Sequence, residues 1–221
     1  MSKAWNKLIV ALDLTSEKKI RKAISSLSPK VKRFKVGLIA YTRFGPKTIK
    51  WVRKSRADVF LDFKLFDIPN TMVETAKSFV DLGVWAFTVH LKAGEESLKI
   101  LKKEISKYAK ARKKRRPLII GVSELTSQKA SLNKVLKLAK IASKSNIDGV
   151  VCSVWEAERI KKEFSLCTIT PGIRRKRSAD DQKRVATVKE ALARRVDYFV
   201  VGRPIVKEKN HLRAAEQILD F

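Results

Sequence analysis

Phe60-Leu-Asp-Phe-Lys-Leu-Phe-Asp-Ile-Pro-Asn-Thr71 runs from an apolar strand into a charged turn. On an extended strand Asp62 and Lys64, two residues apart, share one face. Asp67 follows just past the strand end, where Pro69 stops the extended run and is suited to open a helix. Charges at the end of an apolar strand must be paired if they are buried, because an uncompensated desolvated charge is costly. Taken alone, the D-x-K-x-x-D spacing also fits a structural ion pair capping a strand. The surrounding chain decides between the two readings.

Short β-rich apolar runs recur on both sides of this stretch, at Leu8–Leu12, Phe34–Val36, Val59–Phe63, Ala86–Val89, Leu118–Val122, Gly149–Cys152, Cys167–Ile169 and Tyr198–Val201. They are continuous more than alternating, as expected of parallel strands covered on both faces. Segments with helical spacing separate them: Ile20, Ala23, Ile24 and Leu27 form one stripe, and Leu132, Val135, Leu136 and Ala139 another. Strand and helix alternate eight times with no linker-like tract, which predicts an α/β fold, a single (β/α)8 TIM barrel occupying residues 1–221 as one domain. No G-x-G-x-x-G or Walker loop follows any strand, so a dinucleotide or ATP site is not expected.

In such a barrel the chemistry sits at the C-terminal ends of the strands. Strand one ends in Asp13, strand two carries Lys35 before Gly37, and strand three carries Asp62 and Lys64. Four charged groups from three adjacent strands therefore converge on one mouth, which favours a site over a lone cap. Strand four ends at His90, read as barrel packing and not as catalysis; Ser123 and Glu124 near strand five stay undecided. Val201-Gly-Arg-Pro-Ile205 places a small residue at a strand end and then a helix start. Free N–H groups there, with Arg203 adding a charge-assisted bond, predict a phosphate site.

Composition bounds the rest. The 221 residues are 44% apolar, enough for a substantial core. No stretch of 18 or more uncharged apolar residues is present, so no membrane span is expected, and Met1–Asp13 does not read as a signal peptide. Cys152 and Cys167 lie in apolar runs without C-x-x-C spacing and read as buried thiols of a cytoplasmic protein. Lys and Arg number 50 against 22 Asp and Glu, a net charge of +28 that attracts phosphorylated metabolites. Ten basic residues and one Glu lie between Lys99 and Arg116, yet Leu98, Leu101, Ile105 and Tyr108 keep an apolar stripe there, the mark of a solvated outer helix. Aromatics do not interleave with the basic run, so dedicated nucleic-acid binding is not expected.

These blocks resemble the orotidine 5′-monophosphate decarboxylase family along the whole chain: Val10-Ala-Leu-Asp13, Lys35-Val-Gly37, Asp62–Thr71, Leu125-Thr-Ser127, Thr170-Pro-Gly-Ile-Arg174, Asp181-Gln182 and Val201-Gly-Arg-Pro-Ile205. The resemblance implies loss of CO2 from a nucleotide monophosphate to give UMP, with no metal and no organic cofactor. It implies a Lys-Asp-Lys-Asp array of Lys35, Asp62, Lys64 and Asp67, with Lys64 as proton donor. Asp13 and Lys35 would contact ribose hydroxyls, Thr126 the uracil edge, and Gln182, Gly202 and Arg203 the phosphate. Pro171 and Arg174 would belong to the strand-seven end and closing loop. Asp67, Ile68 and Thr71 would come from the neighbouring subunit of a homodimer.

Magnesium-dependent sugar-phosphate decarboxylases and synthases of the same superfamily share the D-x-K-x-x-D strand and the phosphate end. They characteristically carry Glu, a metal ligand, where this chain has Lys35, and an ammonium repels a divalent cation. The chain departs from the resembled family in the segment Arg174–Gln182, which is short, strongly basic and free of Gly. Which of Arg174, Arg175 and Arg177 meets a ligand is left open by the sequence.

Overall fold

The computed structural model describes residues 4–124, 131–175 and 185–220. The first half holds β1 (Leu8–Ala11), α1 (Glu17–Leu27), β2 (Arg33–Gly37), α2 (Leu38–Phe44), α3 (Lys47–Lys54), β3 (Asp58–Leu65), α4 (Pro69–Asp81) and β4 (Ala86–His90). The second holds α5 (Glu95–Ala111), β5 (Leu118–Val122), α6 (Leu132–Lys144), β6 (Gly149–Val151), α7 (Val154–Phe164), β7 (Cys167–Thr170), α8 (Val188–Ala193), β8 (Tyr198–Val201), α9 (Arg203–Val206) and α10 (His211–Leu219). The strands are parallel and pair in chain order, and β8 closes on β1 with Leu8 opposite Phe199. The eight-stranded barrel expected from the alternation is therefore present.

Alternation within the strands sorts the core into two layers. Ile9, Ala11, Phe60, Trp85, Ala86, Ile120, Ile169 and Val200 pack together inside the barrel. Their neighbours Leu8, Val10, Val59, Leu61 and Phe87 join the larger cluster beneath the helices. The expected stripe of α1 is buried in full. In α6 the stripe turns: Leu132 is exposed at the first turn, and Leu138 and Ala142 complete the buried face. In α5 Ala109 takes the last buried position, while the Tyr108 hydroxyl donates to Asp81. Several helix starts carry side-chain caps: Ser16, Ser131 and Asn210 accept from backbone N–H groups, and Thr187 closes a capping box with Glu190.

The N-terminal pole of the barrel is shut. The Arg33 guanidinium lies 4.8 Å from the ring centroids of both Trp85 and Tyr198, and Phe60 meets Trp85 above them. Asp148 is gripped at the same pole by Arg116 through two 2.7 Å bonds, by Lys102 at 2.7 Å and by the Ile119 N–H at 2.8 Å. Cys152 is buried and Cys167 half-buried; burial pushes both thiols up, that of Cys167 to about 12, so neither is a ready nucleophile. No described helix is long and apolar enough to cross a membrane.

Candidate active site

The open pole holds the charged residues that the sequence singled out. Lys35 Nζ lies 3.2 and 3.1 Å from the two carboxylate oxygens of Asp13 and 3.3 Å from Asp62 Oδ2. Asp62 Oδ1 in turn lies 2.8 Å from Lys64 Nζ. The result is a continuous chain of alternating charge, Asp13–Lys35–Asp62–Lys64, drawn from β1, β2 and β3. Gly37 makes this approach possible: a Cβ at that position would stand 2.8 Å from Asp13 Oδ1 and 3.2 Å from Lys35 Nζ.

Burial opposes ionisation of the two inner members, and the partners reverse it. Burial alone pushes the Asp62 carboxyl up, but Lys35 and Lys64 hold it below its ordinary value. Burial likewise pulls Lys35 down, and Asp62 with Asp13 holds it above its ordinary value. Two opposite charges about 4 Å apart attract by roughly 4 kcal/mol at an effective dielectric near 20. Desolvation costs several kcal/mol per ion. One partner would leave the balance near even; two settle it, and each inner residue has two.

The strand is not regularly pleated where Lys64 meets Asp62. Between Leu61 and Leu65 the register of β3 on β4 shifts: four steps along β3 match two along β4. Lys64 sits inside this bulge with φ of 53°, in the left-handed region that side chains other than glycine seldom adopt. Its N–H, displaced from the ladder, donates to Thr88 Oγ1 at 2.7 Å, and that hydroxyl donates to Asp62 Oδ1 at 3.2 Å. Thr88 is fully buried.

A cavity of about 510 Å³ opens above the array. Its apolar floor includes Ala11, Phe60, Val122, Ile169 and Val200, and its far wall holds Pro171, Gly172, Arg174, Gly202, Arg203 and Lys207. Arg174 is buried and donates from Nη1 to the Ile173 carbonyl at 3.1 Å. The helix after Gly202 has only four residues, so its dipole is small and the three cations dominate the potential at this end. A Cβ at Gly202 would lie 3.2 Å from that of Ala11, so glycine lets β8 end close against β1.

Of the residues singled out by the sequence, Asp13, Lys35, Asp62, Lys64, Pro171, Arg174, Gly202 and Arg203 therefore line one cavity. Asp67, Ile68 and Thr71 are exposed and lie outside its lining. Asp67 accepts the Ile68 N–H, and Ile68 caps α4 with Pro69 at the first position, as its sequence suggests. Phe66 and Ile68 are 61% and 66% exposed, and Leu38 and Ile39, after the neighbouring strand, are exposed as well. Thr126 and Gln182 fall outside the described residues. His90 stacks on Phe66 with ring centroids 5.3 Å apart and accepts the Lys92 N–H, consistent with packing.

Two residues at the site, Lys207 and Thr88, escaped the sequence reading, and Glu124 was left undecided by it. Lys207 joins the cationic wall one turn beyond Arg203. Glu124 lines the cavity with its carboxylate nearly buried, 3.3 Å from Lys92 Nζ and 2.9 Å from Lys134 Nζ. The Lys134 and Lys92 contacts hold that carboxyl below its ordinary value against burial. Thr88 lies outside the cavity lining and touches the array from behind; a polar residue inside the otherwise apolar run Ala86–Val89 was its only signal.

The family model described as "Orotidine 5'-phosphate decarboxylase / HUMPS family" matches residues 6–218. Among curated proteins, the orotidine 5′-phosphate decarboxylase of Psychromonas ingrahamii is 40% identical, with 97% of this chain and 96% of that protein aligned. The protein of the same name from Dictyoglomus thermophilum is 37% identical over 93% of this chain and 91% of its own length. Among solved structures, orotidine 5′-phosphate decarboxylase from Lactobacillus acidophilus superposes with a TM-score of 0.82 at 31% identity, covering 98% of this chain and all of that one.

Proposed function

The chain belongs to the orotidine 5′-phosphate decarboxylase / HUMPS family, and from that membership we propose that it converts orotidine 5′-monophosphate to UMP and CO2 as a carboxy-lyase. The observation that carries this reading is the alternating Asp13–Lys35–Asp62–Lys64 chain at the floor of a pocket whose opposite wall is cationic. One end suits a phosphate dianion; the other suits a reaction in which charge moves from a carboxylate onto a ring carbon.

When the C6–carboxylate bond breaks, its electron pair stays on C6 and CO2 departs. No adjacent group delocalises that pair, so its stabilisation must be electrostatic. The Lys64 ammonium, fixed by Asp62 at 2.8 Å, offers a positive charge and then a proton to C6. Asp62 lies where the substrate carboxylate would be crowded, and its two lysines keep it ionised. Asp13 and Lys35 meet the ribose hydroxyls, Gly202, Arg203, Lys207 and Arg174 surround the phosphate, and Pro171 borders the closing side. Thr126 and Gln182 complete the base and phosphate contacts in this reading. Binding of these remote groups supplies the energy that brings a carboxylate up against Asp62.

No step calls for a metal or an organic cofactor. Lys35 Nζ stands between Asp13 and Asp62, where those two carboxylates would otherwise offer a cation their oxygens. The same residue weighs against the magnesium-dependent branch of the superfamily. The active unit is a cytoplasmic homodimer in which the partner's copies of Asp67, Ile68 and Thr71 complete each pocket. The exposed Phe66 and Ile68 beside exposed Leu38 and Ile39 support a contact at that edge.

The test is turnover of orotidine 5′-monophosphate by purified protein in excess EDTA, with UMP and CO2 both measured. Stoichiometric UMP and CO2 at a rate unchanged by EDTA is the expected result. Absence of turnover by folded protein, or activity restored only by magnesium, would overturn the reading.

A further inference from the structure

We infer that Thr88 is a positioning residue for the catalytic pair, holding the Lys64 backbone in its left-handed turn and orienting the Asp62 carboxylate through a single hydroxyl. The inference deepens the decarboxylase reading and rests on it.

The argument starts from the interrupted ladder. Phe87 pairs with Leu61 and Val89 with Leu65, so Thr88 alone faces the stretch of β3 that contains Asp62, Phe63 and Lys64. A left-handed conformation strains any residue other than glycine. A buried N–H without an acceptor adds the penalty of an unmet donor. Regular pairing would remove both penalties, but it would also change where Lys64 stands against β4. Thr88 Oγ1 accepts the Lys64 N–H at 2.7 Å and so satisfies a donor that the bulge takes out of the ladder.

The same hydroxyl proton goes to Asp62 Oδ1 at 3.2 Å, the oxygen that also takes Lys64 Nζ. Asp62 is thus held from β2 by Lys35, from its own strand by Lys64 and from β4 by Thr88, with Asp13 of the β1 end behind Lys35. Each contact fixes a different direction. Without the contact from β4 the carboxylate keeps its charge partners but loses the neutral donor that sets its rotation. A group with no charge and no access to ligand thereby fixes both reacting-end residues.

Thr88→Val keeps the shape and removes the hydroxyl, and Thr88→Ser keeps the hydroxyl and removes a methyl group. The expected result for Thr88→Val is a kcat about 10- to 100-fold below wild type with KM changed less than about threefold, since small displacements of aligned groups cost on that order. Loss of a donor to the charged form favours protonated Asp62, so the acid limb of kcat/KM moves to higher pH. Thr88→Ser restores kcat to within a few-fold and returns the limb. A Thr88→Val enzyme with wild-type kcat and an unmoved acid limb would overturn the inference. So would equal losses in both variants tracking a lowered Tm, which would mark packing alone. Thr88→Ala serves in place of the valine variant should that one not fold. If wild type itself fails to decarboxylate, the reading of function falls, and the crystal structure of Thr88→Val then judges the positioning role. Lys64 relaxed from its positive φ would uphold it, and Lys64 unchanged at positive φ would overturn it.

Discussion

Asp62 is the residue on which the site balances, because burial pushes its carboxyl up and the two ammoniums beside it hold it down. Its carboxyl is held below an ordinary value of 3.8, and Lys35 above an ordinary value of 10.5. The signs agree: Asp62 loses its charge only as pH falls through its depressed pKa, and Lys35 only as pH rises through its elevated one. Neither group should therefore impose a limb on kcat/KM between about pH 5 and 9. A limb near pH 6 that vanished in Asp62→Asn would contradict that placement. Asp62 and Lys64 were legible because charge in an apolar strand demands a reason. Thr88 was not, since threonine is an ordinary β-strand residue and its two bonds exist only once β3 has bulged.

At the scale of elements, strand ends and the close approach of backbones set the geometry. Gly37→Ala would push a methyl into the Asp13–Lys35 contact, with the carboxylate oxygen 2.8 Å from the new carbon. The expected outcome is a higher KM and lower kcat/KM, by about tenfold or more, with the melting temperature nearly unchanged; steady-state kinetics beside a thermal melt checks both. The closed pole makes the complementary case. Burial pushes the Asp148 carboxyl up, but Arg116, the Ile119 N–H and Lys102 outweigh it and hold it low. Asp148→Asn leaves two half-buried cations without their anion and should cost roughly 2–3 kcal/mol in urea unfolding at neutral pH, without loss of specific activity. Because the folded pKa is the lower one, that stabilisation is present above the unfolded pKa and disappears as pH falls through the folded value. The gap between the two proteins should narrow in acid. Strand positions were readable within a residue or two from the apolar runs. The bulge was not, because it is a shift in the pairing of β3 with β4, which neither segment displays by itself.

For the whole molecule the exposed residues bear on assembly. Within one chain Asp67 stands apart from the array, exposed and bonded to the next N–H. Phe66 and Ile68 beside it are the exposed apolar side chains that a partner would cover. If the partner's Asp67 completes each pocket, mixing inactive Asp67→Ala and Lys64→Ala proteins must form hybrids with one intact site, and activity should rise toward a quarter of wild type at equal mixing. No recovery after subunit exchange, verified by mass-tagged chains, would place Asp67 elsewhere. The eight-fold alternation was visible in the chain, but nothing in one sequence shows which exposed residues meet a second copy. That information lies in surface contacts with no periodicity of their own. The charge of +28 likewise stays spread over outer helices such as α5, whose buried stripe leaves the basic residues to solvent.

The most direct test of the central claim is the fall in ultraviolet absorbance of orotidine 5′-monophosphate with wild type and Lys64→Ala side by side, both shown folded and both shown to bind UMP. The account predicts rapid loss with wild type and a rate at least about 10³-fold lower in the variant, since charge stabilisation and the proton are removed together. A Lys64→Ala protein that decarboxylates at near the wild-type rate would contradict it.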